Sequence, residues 1–162
     1  MAHYVFQSEW RLDAPVDQVW NTLLLAAEWP SWWRGIQSVE RLADGDESGT
    51  GMRLRQRWRS LLPYTLTIDL EIDRVDRHRL LVGRASGDLV GSCTWVFEPH
   101  GEATVVRFCM DVHPGPAWMN LPVPFAGRVA AANYMAIMAW GGDGLARRLA
   151  RGESPLVETA IT

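Results

Sequence analysis

From Tyr4 to Asp13 the chain alternates with period two. Tyr4, Phe6, Ser8, Trp10 and Leu12 fall on one face and Gln7, Glu9, Arg11 and Asp13 on the other, which predicts a half-buried strand. At Ala14-Pro15 the period changes: Val16, Val19, Trp20, Leu23 and Leu24 follow the stripe of an amphipathic helix, with Pro15 at its first turn, and the helix ends by Pro30. Ser31 is positioned to cap a very short second helix carrying Trp32 and Trp33, so that Trp29, Trp32 and Trp33 gather at a helix-helix corner.

The next stretch reads as strands. Asp44-Gly45-Asp46 and Gly49 to Gly51 separate a strand near 36–43 from one near 52–60, in which Met52, Leu54, Gln56 and Trp58 face one way and Arg53, Arg55, Arg57 and Arg59 the other. After Pro63, Tyr64, Leu66, Ile68, Leu70 and Ile72 alternate with Thr65, Thr67, Asp69, Glu71 and Asp73. A hairpin centred near Leu62 sets Arg55 opposite Asp69 and Arg53 opposite Glu71, so the arginine run reads as an exposed cross-strand ladder rather than a phosphate-binding stripe. A turn at Asp76-Arg77-His78 leads into Leu80, Val82, Arg84 and Ser86; counted through the turn, these four share the inward face of Leu70 and Ile72. Cys93, Trp95 and Phe97 form one face of the next strand, and Pro99-His100-Gly101 turns it back into Val106, Phe108, Met110 and Val112. Cys109 lies on the opposite face from Cys93, so a disulfide is not expected. Residues 114–124, with four prolines, read as a loop, and residues 125–151 as a long helix in which Gly141, Gly142 and Gly144 either bend it or let it approach the sheet closely. The predicted domain spans 1–152, followed by a tail at 153–162.

Composition narrows what such a domain can do. A chain of 162 residues, 48% apolar and 22% charged, suits a single soluble core. Its net charge of -3 argues against nucleic acid, no run approaches a membrane span, and the N-terminus lacks a basic start with an apolar block, which together predict a cytoplasmic protein. All 16 basic residues are Arg, so Lys Schiff-base chemistry, a pyridoxal-phosphate anchor and a Gly-Lys-Ser/Thr phosphate loop have no residue to use. Two cysteines and four scattered histidines suggest neither a metal site nor a His-based dyad, and no cofactor is expected. Nine tryptophans exceed what closing an ordinary core requires, which points to a sizeable apolar space being lined.

The order of strand, two helices, about six strands and a long last helix, together with Ala14-Pro15 followed by Val19-Trp20, Trp29-Pro30 with Trp32-Trp33, the spacing Gly87, Leu89, Gly91, Trp95, and Asn133-Tyr134 in the last helix, resembles the Bet v 1-like or START-like (SRPBCC) superfamily, and within it the polyketide cyclase/dehydrase and lipid-transport group. The resemblance covers nearly the whole chain. It implies an α+β helix-grip fold, a curved antiparallel sheet of about seven strands wrapped around the long C-terminal helix, with two short helices after strand 1. It further implies an elongated cavity for a hydrophobic molecule, in a group that ranges from passive carriers to cyclases and dehydratases.

In that architecture the inward face of the sheet is the cavity wall. Parity sends Ser8, Gln56, Tyr64, Arg84 and Ser86 inward, with Asn133 from the helix, and Arg84 stands out as a charged anchor for a ligand carboxylate, enolate or ketone. Trp10, Trp58, Trp95 and Phe108, with Trp140 from the helix, supply flat walls for a ring system, and Gln56 and Tyr64 suit its polar edges. The first functional expectation is therefore a binding protein for a hydrophobic, ring-containing, lipid- or polyketide-like molecule. The alternative is a cyclase or dehydratase in which Arg84 stabilises an enolate and Tyr64 relays a proton. A third is a regulatory or protein-interaction module. Neither the ligand nor the oligomeric state is legible.

Overall fold

The computed structural model describes residues 3–59, 61, 63–116 and 126–151. Strands β1 (Tyr4–Leu12), β2 (Ile36–Ala43), β3 (Arg53–Trp58), β4 (Leu66–Asp76), β5 (Leu80–Gly87), β6 (Leu89–His100) and β7 (Ala103–Pro114) form one antiparallel sheet in the order β1-β7-β6-β5-β4-β3-β2. Helix α1 (Val16–Leu24), a 3-10 turn (Ala26–Glu28) and α2 (Trp29–Trp32) link the two edge strands, and α3 (Ala126–Ala150) lies across the inner face. This is the helix-grip fold. Segments 117–125 and 152–162, and with them most of the proline loop and the whole of the tail, lie outside the described residues.

The β3–β4 register is the one the charge alternation predicts, with Arg53 opposite Glu71 and Arg55 opposite Asp69. Arg55 donates two parallel hydrogen bonds to the Asp69 carboxylate, Nε to Oδ1 at 2.9 Å and Nη2 to Oδ2 at 3.0 Å. That fork holds the Asp69 carboxyl below the usual carboxylate range.

Between β4 and β5 the expected parity fails. Arg74 pairs with Val82 as simple counting requires, but Ile72 pairs with Gly83, so Asp73 is an extra residue in β4, a bulge that reverses parity for the rest of the pair. Leu81, Gly83 and Ala85 therefore face inward, and Arg84 and Ser86 face out. Arg84 sits opposite Glu71 and bonds through Nε to Asp73 Oδ2 at 2.8 Å, on a side chain 66% exposed. The small residues on the inner face have a packing cause, because a Cβ at Gly83 would come within 2.9 Å of Leu70 Cδ1. The charged anchor expected from Arg84 is thus an outward ion pair on the convex face.

Helix α2 also differs in detail. It begins at Trp29 with Pro30 in its first turn, and Ser31 lies inside it, its hydroxyl donating to the Glu28 carbonyl at 2.6 Å rather than capping the start. The corner of Trp29, Trp32 and Trp33 nevertheless forms as expected, with Trp32 stacked on Trp33 at 5.5 Å.

Helix α3 divides into two halves. Its first half presents Val129, Ala130, Asn133, Tyr134, Ile137 and Met138 at helical spacing to the space under the sheet. In its second half the three glycines let it approach the tryptophan cluster. Cβ atoms at Gly141 and Gly142 would overlap the indoles of Trp33 and Trp10, and one at Gly144 would overlap the Trp32 carbonyl oxygen. The stripped helix face lets Trp33 Nε1 donate to the Ile137 carbonyl at 2.8 Å and Trp10 Nε1 to the Met138 carbonyl at 2.9 Å, each one turn before a glycine. The close approach expected of these glycines is realised, against Trp10 of β1 and against Trp32 and Trp33 at the end of α2.

Candidate ligand-binding cavity

Where the first half of α3 spans the sheet, a cavity of about 390 Å³ remains, within the size range of small-molecule sites. It occupies the end of the sheet marked by Tyr4 at the start of β1, Leu89 at the start of β6 and Pro114 at the end of β7. Trp58, Trp95 and Phe108 line it from the sheet, Trp29 and Trp33 from the α2 corner, and the α3 stripe lies opposite. The other half of the space under the sheet is filled, with Trp20 packing edge-on against Phe97 at 4.9 Å.

Of the positions expected to contact a ligand, Gln56, Trp58, Tyr64, Trp95, Phe108 and Asn133 come together on this wall. Trp10, Trp140 and Arg84 do not. Trp10 is buried behind the wall, tied to the Met138 carbonyl and packed against Trp33 and Trp95 at 5.2 and 5.6 Å. Trp140 sits on the flank of α3 beside Gly35, with the Arg34 guanidinium 4.4 Å above its ring. Period places a residue on a face but not at a depth, so it does not distinguish these two indoles from those that reach the cavity. Conversely, Trp29, Trp33 and Tyr134 line the cavity and were not singled out as ligand contacts. The i, i+4 relation of Ala130, Tyr134 and Met138 is the signal that would have found Tyr134.

Among the described residues no Asp, Glu, Arg or His lines this wall. Its polar groups are neutral. The Tyr134 hydroxyl shares a 2.9 Å hydrogen bond with Ser8, and burial pushes its phenol up to about 12 against the smaller opposing effect of that bond. Burial likewise pushes the Cys93 thiol up to about 12, the neighbouring Cys109 sulfur adding to it. The Tyr64 phenol is also raised, by burial first and then by the negative charge of Asp88. The Asn133 side-chain oxygen accepts from the Leu61 N–H at 3.3 Å. Gln56, 4% exposed, accepts from Trp58 Nε1 at 2.9 Å through its Oε1.

These shifts predict a loss of stability at alkaline pH. The folded state keeps the Cys93 and Tyr134 protons at pH values where the unfolded chain, with ordinary values of 9.0 and 10.0, has released them. Their contribution is therefore complete below pH 9 and is lost as pH rises towards 12, at about 1.4 kcal/mol per pH unit for each titrating group. Urea unfolding at pH 8, 9.5 and 10.5 is expected to show this decline, and Cys93→Ala should flatten its first part. Equal slopes in the two proteins would exclude the assignment to Cys93.

With the fold and cavity defined, comparison with known proteins gives the family. Residues 4–150 match the model of the family described as polyketide cyclase / dehydrase and lipid transport, and the chain belongs to that family. No match is found among curated protein sequences. Solved structures similar to it include the Zhui aromatase/cyclase from Streptomyces sp. R1128, at 18% identity and a TM-score of 0.70 over 94% of this chain and 98% of that one. A START superfamily protein from Mycobacterium smegmatis matches at 14% identity and a TM-score of 0.73 over 91% and 99%. Norcoclaurine synthase from Thalictrum flavum, in complex with dopamine and hydroxybenzaldehyde, matches at 20% identity and 0.60 over 94% and 90%. At these identities the likeness is one of fold. No helix among the described residues is long and apolar enough to cross a membrane.

Proposed function

We propose that this protein binds a neutral, hydrophobic, ring-containing small molecule, lipid- or polyketide-like, in the cavity between the sheet and α3. The observation that carries the reading is the wall itself: about 390 Å³ bounded by indole, phenyl and aliphatic groups with neutral polar atoms only, where an ionised ligand would have to shed its hydration with no charged partner. The family description includes lipid transport, and the norcoclaurine synthase complex holds two ring compounds in a related fold. Ligands of about 25 non-hydrogen atoms at roughly 0.3 kcal/mol per atom correspond to micromolar dissociation constants.

The test fills the cavity without touching its polar atoms. Ala130 lies on the helix stripe of the wall, and Ala130→Trp projects an indole into the space. Nile red, a neutral polycyclic dye, is expected to bind the unaltered protein one to one and to lose at least about tenfold in affinity with Ala130→Trp. Undiminished binding by a variant whose circular dichroism is unchanged would move the site elsewhere. Native mass spectrometry of the protein from its own source, searching for a co-purifying apolar molecule, then addresses the natural ligand.

A cyclase or dehydratase acting on such a ligand is the second reading, favoured by the Tyr134 hydroxyl on the wall, which is hydrogen-bonded to Ser8. A phenol held neutral by burial can donate to a developing enolate oxygen, a part that Arg84 on the convex face is not positioned to play. Turnover of a poly-ketone substrate that survives Tyr134→Phe would remove that role.

A further inference from the structure

Gln56 points from the middle of β3 into the cavity, between Val39 of β2 and Ile68 of β4 in the register, and is more than nine-tenths buried. An indole nitrogen can only donate, so the 2.9 Å contact from Trp58 Nε1 fixes which end of the amide is oxygen. The amide nitrogen is thereby directed away from Trp58 with two N–H donors; no described residue accepts from it, and it borders the cavity rather than being sealed in the core. A buried amide donor left unmatched is costly, whereas one matched by a ligand acceptor favours that ligand over an analogue lacking it. Around it the wall is apolar and aromatic: Trp58, Leu66 and Ile68 lie on the same or the adjacent strand, and Trp33 meets Trp58 edge-on at 5.1 Å. We propose that Gln56 is the specificity-determining residue of the cavity and that the ligand carries a neutral acceptor oxygen, a ketone, quinone or lactone carbonyl attached to its ring system, which receives the Gln56 N–H. Trp58 is the positioning residue, because its indole holds the amide in the donating orientation.

The inference rests on the ligand-binding reading above and refines it from an apolar ring compound to an aryl carbonyl compound. The test compares 2-acetylnaphthalene with 2-ethylnaphthalene, which differ little in shape and by one acceptor oxygen, by equilibrium dialysis against the full chain. Because the hydrocarbon partitions more readily from water, the informative quantity is the change on mutation rather than the raw preference. Gln56→Met is expected to weaken the ketone about tenfold while leaving the hydrocarbon within about twofold. Gln56→Glu retains an acceptor for Trp58 Nε1 and guards against a folding defect; at pH 5, where burial keeps the carboxyl protonated, its O–H replaces the amide donor, and the ketone is expected to bind within about threefold of the unaltered protein. Equal losses for both probes with Gln56→Met, or none for either, would overturn the role of Gln56 while leaving the cavity as the binding site. Failure of the unaltered protein to bind either naphthalene would overturn the ligand-binding reading and this inference with it.

Discussion

Gly144→Ala is expected to lower the melting temperature by roughly 5–10 °C, although alanine is the better helix former by about 1 kcal/mol. Gly144 lies in the second half of α3, where a Cβ would overlap the carbonyl oxygen of Trp32, the last residue of α2. A backbone atom cannot rotate aside as a side-chain end can, so α3 must lift from α2 or α2 must unwind. Overpacking of this kind costs typically 1–3 kcal/mol and can cost more against backbone. Lifting α3 also stretches the bonds by which Trp33 and Trp10 reach the Ile137 and Met138 carbonyls. The matched control is Gly127→Ala near the start of the same helix, where nothing lies within 4 Å of the added methyl. That variant is expected to keep or slightly raise the melting temperature. If differential scanning calorimetry finds the two alike, the close approach of α3 to α2 is wrong.

How far the sequence discloses such a structure depends on what each signal measures. Alternation and charge register identified the β3–β4 pairing down to the Arg55–Asp69 fork, because both strands there are regular and the complementary charges fix their offset. The same counting failed one hairpin later, because the bulge at Asp73 adds a residue with no compositional mark. Hydrophobicity reinforced the error: Leu80 and Val82 look like the buried set, whereas the inner face takes Gly83 and Ala85 for lack of room beside Leu70. Half of the cavity was likewise legible. Gln56, Trp58, Trp95 and Phe108 face inward by strand parity, and strand parity holds wherever no bulge intervenes. Depth was not legible, since it is set by the long-range contact of Trp10 and Trp33 with the α3 backbone, and no local pattern encodes which indole is covered by another.

Trp33→Ala should produce the largest loss of any single side chain considered. Trp33 is 1% exposed, meets Trp10, Trp29, Trp32, Trp58 and Trp95 at ring-centroid distances of 5.1–6.3 Å, and donates its N–H to the Ile137 carbonyl. Truncating a buried Trp to Ala typically costs about 3–5 kcal/mol, which in a chain of this length lowers the melting temperature by roughly 8–16 °C. Because Trp33 lines the cavity, the space it vacates joins the cavity rather than forming a sealed void. Free indole is therefore expected to occupy it. At a concentration one hundred times its dissociation constant it would restore about 2.7 kcal/mol, with little effect on the unaltered protein at the same concentration. Melting curves of both proteins with and without millimolar indole provide the check. A large loss without rescue would mean that the tryptophan cluster collapses when its centre is removed, so that this part of the lining is held by packing against Trp33 rather than by α3. A small loss would contradict the central place of Trp33, and with it the division of α3 into a half that spans the cavity and a half that seals it.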